Sequence, residues 1–121
     1  RAWHVIDENR RLHRFADDLR AGRLETLGET LAAGHASLRD LYEVSCRELD
    51  DLVDVLCRAP GVLGARMTGG GFGGCVVALV RPAAVAEVQD RLKSEYDQTH
   101  DRPARTWVTL PSAGATVTVL E

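Results

Sequence analysis

A cluster of glycines constrains this chain more than any other feature of its sequence. Five glycines occupy the six positions 69–74, in the segment MTGGGFGGC that precedes the apolar run VVALV. Glycine loses more backbone entropy on folding than any other residue, so the cluster costs stability and needs a reason. Three reasons are open: backbone conformations with positive φ, the close approach of another backbone, or a cradle of N–H groups for an anion.

Helical periodicity dominates the first part of the chain. Apolar residues at steps of three and four predict a first helix over residues 5–21, ended by Gly22, and a second over residues 24–38. Gly28 and Gly34 lie inside the second helix, where each costs about 1 kcal/mol of helix stability. These two glycines therefore predict close contacts of that helix with its neighbours.

A third helix is predicted from a capping signal. Ser45 and Glu48 have the S-x-x-E spacing of a capping box, in which each side chain satisfies a free N–H group of the first helical turn. The Pro-Gly pair at residues 60–61 ends this helix. Its predicted buried face consists of Leu49, Leu52, Val53 and Leu56.

The sequence period then changes to that of strands. Residues 62–67 and 75–80 are extended candidates on either side of the glycine cluster. Pro82 opens a fourth helix, and residues 106–110 and 116–120 alternate around the turn PSAG as a closing hairpin. The order ααα-ββ-α-ββ predicts an α+β fold with an antiparallel sheet packed on helices.

Composition argues against several classes of protein. The chain has 121 residues, 45% of them hydrophobic and 27% charged, which fits one globular domain over residues 1–121. Its net charge is −3, from 15 basic and 18 acidic residues, and the scattered basic residues argue against nucleic-acid binding. The longest apolar run, residues 75–80, is too short to cross a bilayer. We therefore expect a cytoplasmic protein with no nucleic-acid or membrane partner.

Cysteines and histidines give no sign of a metal site. Cys46, Cys57 and Cys75 lack C-x-x-C spacing, and the four histidines lack H-x-x-x-H spacing. We expect reduced, mostly buried thiols and no bound metal. The chain starts at Arg1 inside a helical pattern, which predicts a piece of a longer protein.

Two familiar phosphate-binding motifs do not fit the glycine cluster. Gly69, Gly71 and Gly74 have the G-x-G-x-x-G spacing of a dinucleotide-binding loop, but that motif opens a helix and here a strand is predicted to follow. A P-loop needs a lysine where Cys75 stands. Two interpretations remain: a glycine loop that presents N–H groups to something close by, or a wide turn with no ligand.

The residues around the cluster carry a family resemblance. The segment GARMTGGGFGGC, residues 64–75, resembles the third conserved motif of galactokinases, which are GHMP small-molecule kinases. Residues 35–50, HASLRDLYEVSCRELD, are similar to the helix-loop-helix signature of that family, and residues 1–10 to the helix before it. Gly34, Leu41 and Arg47 replace residues that are common in the family.

The resemblance implies a function for the complete protein. Galactokinases transfer the γ-phosphoryl group of Mg-ATP to the C1 hydroxyl of galactose. The resemblance implies a ferredoxin-like C-terminal domain whose partner, an N-terminal kinase domain, supplies the sugar site, the catalytic Asp and Arg and the main phosphate loop. It implies no catalytic residue and no metal ligand in this chain, and no activity or bound Mg-ATP for this domain alone. The residues expected to support the phosphate loop and border the γ-phosphate are Thr68, Gly69, Gly70, Gly71, Phe72, Gly73 and Gly74.

Other residues with reactive side chains have simpler interpretations. Asp50, Asp51 and Asp54 could be Mg²⁺ ligands or solvated groups near a helix start. His35 is a packing residue or a base, and the adjacent pair at residues 39–40, Arg-Asp, is an interdomain ion pair or a local contact.

Two other functions remain open for the chain. One is a non-catalytic galactokinase-like sugar sensor, and the other is a stand-alone module that binds a small ligand. An uncovered interdomain face would also favour self-association of the isolated chain.

Overall fold

Three helices lead into a β-hairpin, and a fourth helix follows it. The computed structural model describes residues 1–118. Its regular elements are α1 (Ala2–Arg20), α2 (Leu24–Ser37), α3 (Arg47–Cys57), β1 (Val62–Thr68), β2 (Cys75–Val80) and α4 (Val85–Arg91). A first π-helical segment, Leu38–Tyr42, extends α2; a 3₁₀ turn, Pro82–Ala84, precedes α4; and a second π-helical segment, Leu92–Tyr96, extends it. The predicted order ααα-ββ-α is confirmed.

β1 and β2 form an antiparallel hairpin around the glycine cluster. The register runs from Val62 opposite Val80 to Thr68 opposite Cys75, with a bulge between Val62 and Gly64. The sheet has these two strands within the described part of the chain, and helices pack on it. The predicted α+β class is therefore confirmed.

Two groups of buried side chains hold the helices on the hairpin. The larger group joins α3, β1, α4 and the second π-helical segment and consists of Val53, Val55, Leu56, Ala59, Ala65, Val88, Leu92 and Tyr96. The smaller group contains Leu38, Leu49 and Met67, the penultimate residue of β1. Because each such side chain contributes about 1.5–3 kcal/mol when fully buried, the smaller group fixes the end of β1 next to the glycine cluster.

Backbone lies against backbone where α2 crosses β1. A Cβ atom added at Gly28 would lie 1.7 Å from the carbonyl oxygen of Leu63, and one added at Gly64 would lie 2.5 Å from the carbonyl oxygen of Gly28. Any larger residue at either position would push the helix off the strand. The predicted close contact at Gly28 is confirmed. At Gly34 the nearest neighbour is instead the end of the Arg66 side chain.

α1 joins the other elements through a largely polar face. His4 is buried, with Nδ1 2.8 Å from the Ser37 hydroxyl, and the Arg66 guanidinium on β1 donates to the carboxylate of Glu8. Apolar side chains at heptad spacing lie exposed on an adjacent flank of α1: Val5, Leu12 and Leu19. Neither α1 nor any other helix among residues 1–118 combines the length and apolar character of a membrane span.

The predicted capping box of α3 is wrong. The residue before the helix is Cys46 in an extended conformation, and no side chain caps the helix. The Ser45 hydroxyl donates instead to the carboxylate of Asp50, at 2.5 Å. Because the helix begins at Arg47, Ser45 lies one position before the N-cap, so its hydroxyl oxygen is not placed to accept from the free N–H groups of the first turn.

The predicted closing hairpin is wrong over residues 106–110, which form no strand. Trp107 and Leu110 are 74% and 83% exposed, so the alternating pattern has no buried face. β-propensity expresses the fit of a strand to a partner and a packed surface, and this segment has neither. Residues 116–118 are also not in a strand, and the end of the second predicted strand, residues 119–120, lies outside the described residues.

The thiols are free, but the prediction that most are buried is wrong. Cys57 and Cys75 are exposed and Cys46 is half-buried. Cys75 follows the glycine cluster and is the first residue of β2, where it lies at the surface of the hairpin. Its alternation with the half-buried Val76 follows the period of the strand.

Gly28→Ala tests the contact between α2 and β1. We expect it to lower the free energy of unfolding by at least about 2 kcal/mol through overpacking, although alanine alone would favour the helix by about 1 kcal/mol. Gly34→Ala is the control, because the flexible Arg66 side chain can move away. Urea unfolding of both variants measures the difference. Equal stability of Gly28→Ala and wild type would contradict the contact.

Candidate functional site

The glycine loop, residues 69–74, connects the two strands and has an unusual backbone. The angle φ is +89° at Gly69, +87° at Gly71, +125° at Gly73 and +109° at Gly74. Phe72 is also left-handed, with φ of +59°. Residues with a Cβ atom adopt these angles at a cost of about 1–2 kcal/mol each, so positive φ accounts for four of the five glycines.

One glycine of the loop is also required by a close contact. A Cβ atom at Gly71 would lie 2.2 Å from the carbonyl oxygen of Val44. That oxygen accepts a hydrogen bond of 2.7 Å from the amide of Phe72. The loop is therefore anchored at its centre to the segment that connects the first π-helical segment with α3.

The rest of the loop faces open space. Nothing lies within 4 Å of a Cβ atom placed at Gly69, Gly70 or Gly73, and the Phe72 side chain is 76% exposed. Thr68, at the end of β1, is exposed as well. The loop is thus held by its own domain on one side and is accessible on the other, so its backbone N–H groups can be approached by another molecule or domain.

A chain of buried polar contacts lies beside the start of the loop. The amide of Met67 donates to Nδ1 of His35 at 3.3 Å, and Nε2 of His35 lies 3.2 Å from Oδ1 of Asp50. The same carboxylate oxygen accepts the Ser45 hydroxyl, and Ser45 follows Val44, the anchor of Phe72. His35 is therefore a buried packing residue. The cluster of His35, Asp50 and Ser45 lies beside the Met67 amide before the loop and next to Val44, which accepts the Phe72 amide.

Burial lowers the pKa of His35 below its ordinary value. The charges of Arg39 and Arg66 act in the same direction, whereas Asp50 opposes them. The imidazole is consequently neutral at pH 7. Because Nδ1 accepts the Met67 amide, the neutral ring carries its proton on Nε2, toward Asp50.

The other acidic candidates are engaged in local contacts. Asp54 lies 3.2 Å from Arg58 and Asp51 lies 3.4 Å from Arg47, each one helical turn apart, and Asp51 also lies 3.2 Å from Nε2 of His100. Arg39 pairs with its neighbour Asp40, at 2.7 Å and 3.0 Å, so this pair is a local contact within the chain. Among residues 1–118 no three His, Cys, Asp or Glu side chains form a group that could hold a metal ion.

The sequence interpretation missed Val44 as the anchor of the loop. It acts through its main-chain carbonyl, which every residue possesses, so its side chain gives no signal. The sequence pattern predicts a helix cap at Ser45, whereas its hydroxyl donates a hydrogen bond to Asp50 near the loop. Only the tertiary arrangement reveals either role.

Comparison with protein families and known relatives gives a consistent result. The family model described as GHMP kinases C terminal matches residues 15–98. The chain is 50% identical over 96 residues to a galactokinase of Thermotoga neapolitana and 46% identical over 99 residues to the galactokinase of Homo sapiens. These alignments cover 79% and 82% of this chain but 27% and 25% of the relatives. The chain therefore spans about a quarter of the length of the relatives that it matches.

Solved structures with the same fold include two kinases. A crystal structure of Lactococcus lactis galactokinase complexed with galactose matches 83% of this chain and 26% of its own, with a TM-score of 0.79 and 43% identity. A structure of L. major mevalonate kinase in complex with R-mevalonate matches 72% of this chain and 26% of its own, with a TM-score of 0.64 and 32% identity. The domain fold is thus found in kinases crystallised with different small molecules, galactose and R-mevalonate.

Gly71→Ala tests the anchored part of the loop. We expect it to lower the free energy of unfolding by about 2–4 kcal/mol, because it adds left-handed strain and a clash with the Val44 carbonyl. Gly70→Ala is the matched control: its Cβ atom meets open space and its φ is not positive, so stability should stay within about 0.5 kcal/mol of wild type. Thermal and urea unfolding give both values. A Gly71→Ala protein as stable as Gly70→Ala would contradict the described anchor.

The buried histidines predict a loss of stability in mild acid. Burial lowers the pKa of both His4 and His35, so below about pH 6.5 the unfolded chain takes up protons before the folded chain does. Stability is therefore complete above that pH and falls as the pH decreases, by at most about 1.4 kcal/mol per pH unit for each histidine. Urea midpoints between pH 7.5 and 5.0 measure the slope. His35→Asn should flatten it, and a slope equal to that of the wild-type protein would contradict the assignment.

Proposed function

The chain belongs to the GHMP kinase family, of which it has the C-terminal domain, and on that premise we propose that it is the C-terminal lobe of an ATP-dependent galactokinase. The complete protein transfers the γ-phosphoryl group of ATP to the C1 hydroxyl of galactose. The observation that carries the role of this lobe is the glycine loop, anchored through Gly71 and Phe72 on one side and open on the other.

The glycine loop, together with Thr68, supports the phosphate-binding segment of a second lobe. Phosphoryl transfer depends mainly on positioning and on stabilisation of the charge on the transferred group. A loop without side chains at Gly69, Gly70 and Gly73 allows another backbone to come within van der Waals distance. The exposed Thr68 hydroxyl at the edge of the loop is a hydrogen-bond donor for a phosphate oxygen or for the neighbouring loop.

Mg-ATP fits this chain through its phosphates. Successive N–H groups in left-handed glycines form anion-binding concavities, and residues 69–74 combine such angles with an open face. Bound Mg²⁺ neutralises the developing charge on the phosphates and needs only one or two carboxylates besides phosphate and water. We propose that this chain contributes the glycine loop beside the phosphates and that the magnesium ligands belong to the rest of the protein.

The partner of this lobe is the N-terminal kinase domain of the same protein. The relatives are about four times as long as the matched region, which leaves room for the sugar site and the catalytic groups outside it. The exposed apolar flank of α1, with Val5, Leu12 and Leu19, is a surface that another domain would bury. In the isolated chain the same flank favours self-association.

The identity of the acceptor is proposed from the galactokinase relatives. Their identity of about half over this domain exceeds the 32% identity to the mevalonate kinase. The galactose specificity itself belongs to the other domain, because no residue of the glycine loop has a side chain suited to several sugar hydroxyls.

Gly70→Ala in the complete protein tests the proposed role. The Cβ atom meets nothing within this domain, so the variant should keep its melting temperature, but it would intrude on a phosphate loop packed there. We expect kcat/KM for galactose phosphorylation to fall about ten- to hundredfold. The rate of galactose 1-phosphate formation from ATP gives the measurement.

Gly114→Ala is the matched control, because its Cβ atom also meets open space and it lies away from the loop in the sequence. It should retain wild-type activity. The isolated chain of 121 residues should form no galactose 1-phosphate. Full activity of Gly70→Ala, or turnover by the purified isolated chain, would contradict the proposed function.

A further inference from the structure

The glycine loop is held at two points by contacts from the same small region. At its start the amide of the fully buried Met67 donates to Nδ1 of His35 on α2. At its centre the amide of Phe72 donates to the carbonyl of Val44, which precedes α3. Between the two points the loop backbone faces open space at Gly69 and Gly70. These two amides therefore add to the strand pairing of Thr68 with Cys75 in fixing the ends of the open segment.

The two holding points are connected to each other. Asp50 on α3 lies 3.2 Å from Nε2 of His35 and accepts the Ser45 hydroxyl at 2.5 Å. Ser45 is bonded covalently to Val44, so its hydrogen bond to Asp50 orients the peptide that contains the Val44 carbonyl. His35, Asp50, Ser45 and Val44 thus form one connected group, in which Nε2 of His35 and Asp50 are joined by a 3.2 Å contact without hydrogen-bond geometry.

We propose that His35 is a positioning residue for the glycine loop, which holds the Met67 amide directly and the Phe72 amide through Asp50, Ser45 and Val44, and does so only as the neutral ring. A protonated imidazole carries hydrogens on both nitrogens, so Nδ1 could no longer accept the Met67 amide. Its loss would remove one of the contacts that hold the start of the loop, beside the pairing of Thr68 with Cys75. Any effect of this change on phosphoryl transfer rests on the proposed function, whereas the contacts by which His35 positions the loop do not.

The charged groups around His35 favour the neutral ring. Asp50 faces it from α3 and favours protonation, while Arg39 of the first π-helical segment and Arg66 of β1 oppose it. Burial adds the largest opposing contribution, so the pKa lies below its ordinary value. Loop holding is accordingly complete at neutral pH and weakens only when the pH falls through this lowered pKa, below the ordinary value of about 6.5.

Hydrogen exchange of single amides in the complete protein tests this proposal. The measured quantities are the protection factors of Met67 and Phe72, corrected for the intrinsic pH dependence of exchange, with the amide of Leu56 inside α3 as reference. His35→Leu, which lacks an acceptor, should lower the protection of Met67 about three- to tenfold, as expected for one lost hydrogen bond, and leave Leu56 unchanged. His35→Asn places an acceptor near the position of Nδ1 and should restore most of the protection of Met67.

The pH dependence separates a positioning role from a merely structural one. In the wild-type protein the protection of Met67 should fall once the pH drops below the lowered pKa of His35, whereas in His35→Asn it should stay constant because the amide side chain takes up no proton. Ser45→Ala should lower the protection of Phe72 more than that of Met67. Nitrogen chemical shifts of His35 at pH 7 should show a proton on Nε2 and none on Nδ1.

Three results would overturn the proposal. The first is an unchanged protection factor of the Met67 amide in His35→Leu, and the second is an equal loss of protection at Leu56 in that variant. The third is the same pH dependence of Met67 protection in wild type and His35→Asn. If His35→Leu does not fold, the pH dependence of Met67 protection in wild type and His35→Asn and the protection of Phe72 in Ser45→Ala still test the proposal. Should the exchange results hold while His35→Leu keeps wild-type kcat, the holding of the loop stands and the proposed kinase role of the loop fails.

Discussion

The contact between Gly28 on α2 and Gly64 on β1 is the constraint on which the arrangement of the loop depends. It lets α2 pack directly on the backbone of β1 and fixes the position of the helix along the strand. His35 follows Gly28 by seven residues, about 10.5 Å along a helix, and Met67 follows Gly64 by three residues, about 10 Å along a strand. The equal distances bring the His35 ring to the Met67 amide, where the glycine loop begins.

The loop combines a strained backbone with little protection of its own. Phe72 adopts a left-handed conformation that costs about 1–2 kcal/mol for a residue with a side chain, while its ring stays largely in solvent. The hydrogen bond from its amide to Val44 offsets a part of that cost. An exposed aromatic ring held in a strained conformation by a specific contact is a surface prepared for a partner, because neither the strain nor the exposure benefits the isolated domain.

Local periodicity sufficed for the helices and the hairpin because each is determined by a face that is buried. The stripe with Leu27, Leu31 and Leu38 predicted α2, and the two apolar runs around the glycines predicted β1 and β2. Residues 106–110 show the opposite case: an alternating pattern without a partner edge or a packed surface forms no strand. In the candidate site the glycines signalled the loop, whereas the Val44 carbonyl and the true partner of Ser45 depend on tertiary contacts that no local pattern encodes.

Polar residues of α1 are buried and apolar residues are exposed, and this distribution also bears on a second lobe. A helix that packed only within this domain would bury its apolar residues, yet α1 buries His4 and half-buries Glu8, while Val5, Leu12 and Leu19 lie exposed. The N-terminal end of α1 lies close to the anchored loop, since Arg1 pairs with Glu43, the residue before Val44. The polar inner face and the apolar outer flank of α1 therefore support the second lobe that is proposed from the open backbone of the loop.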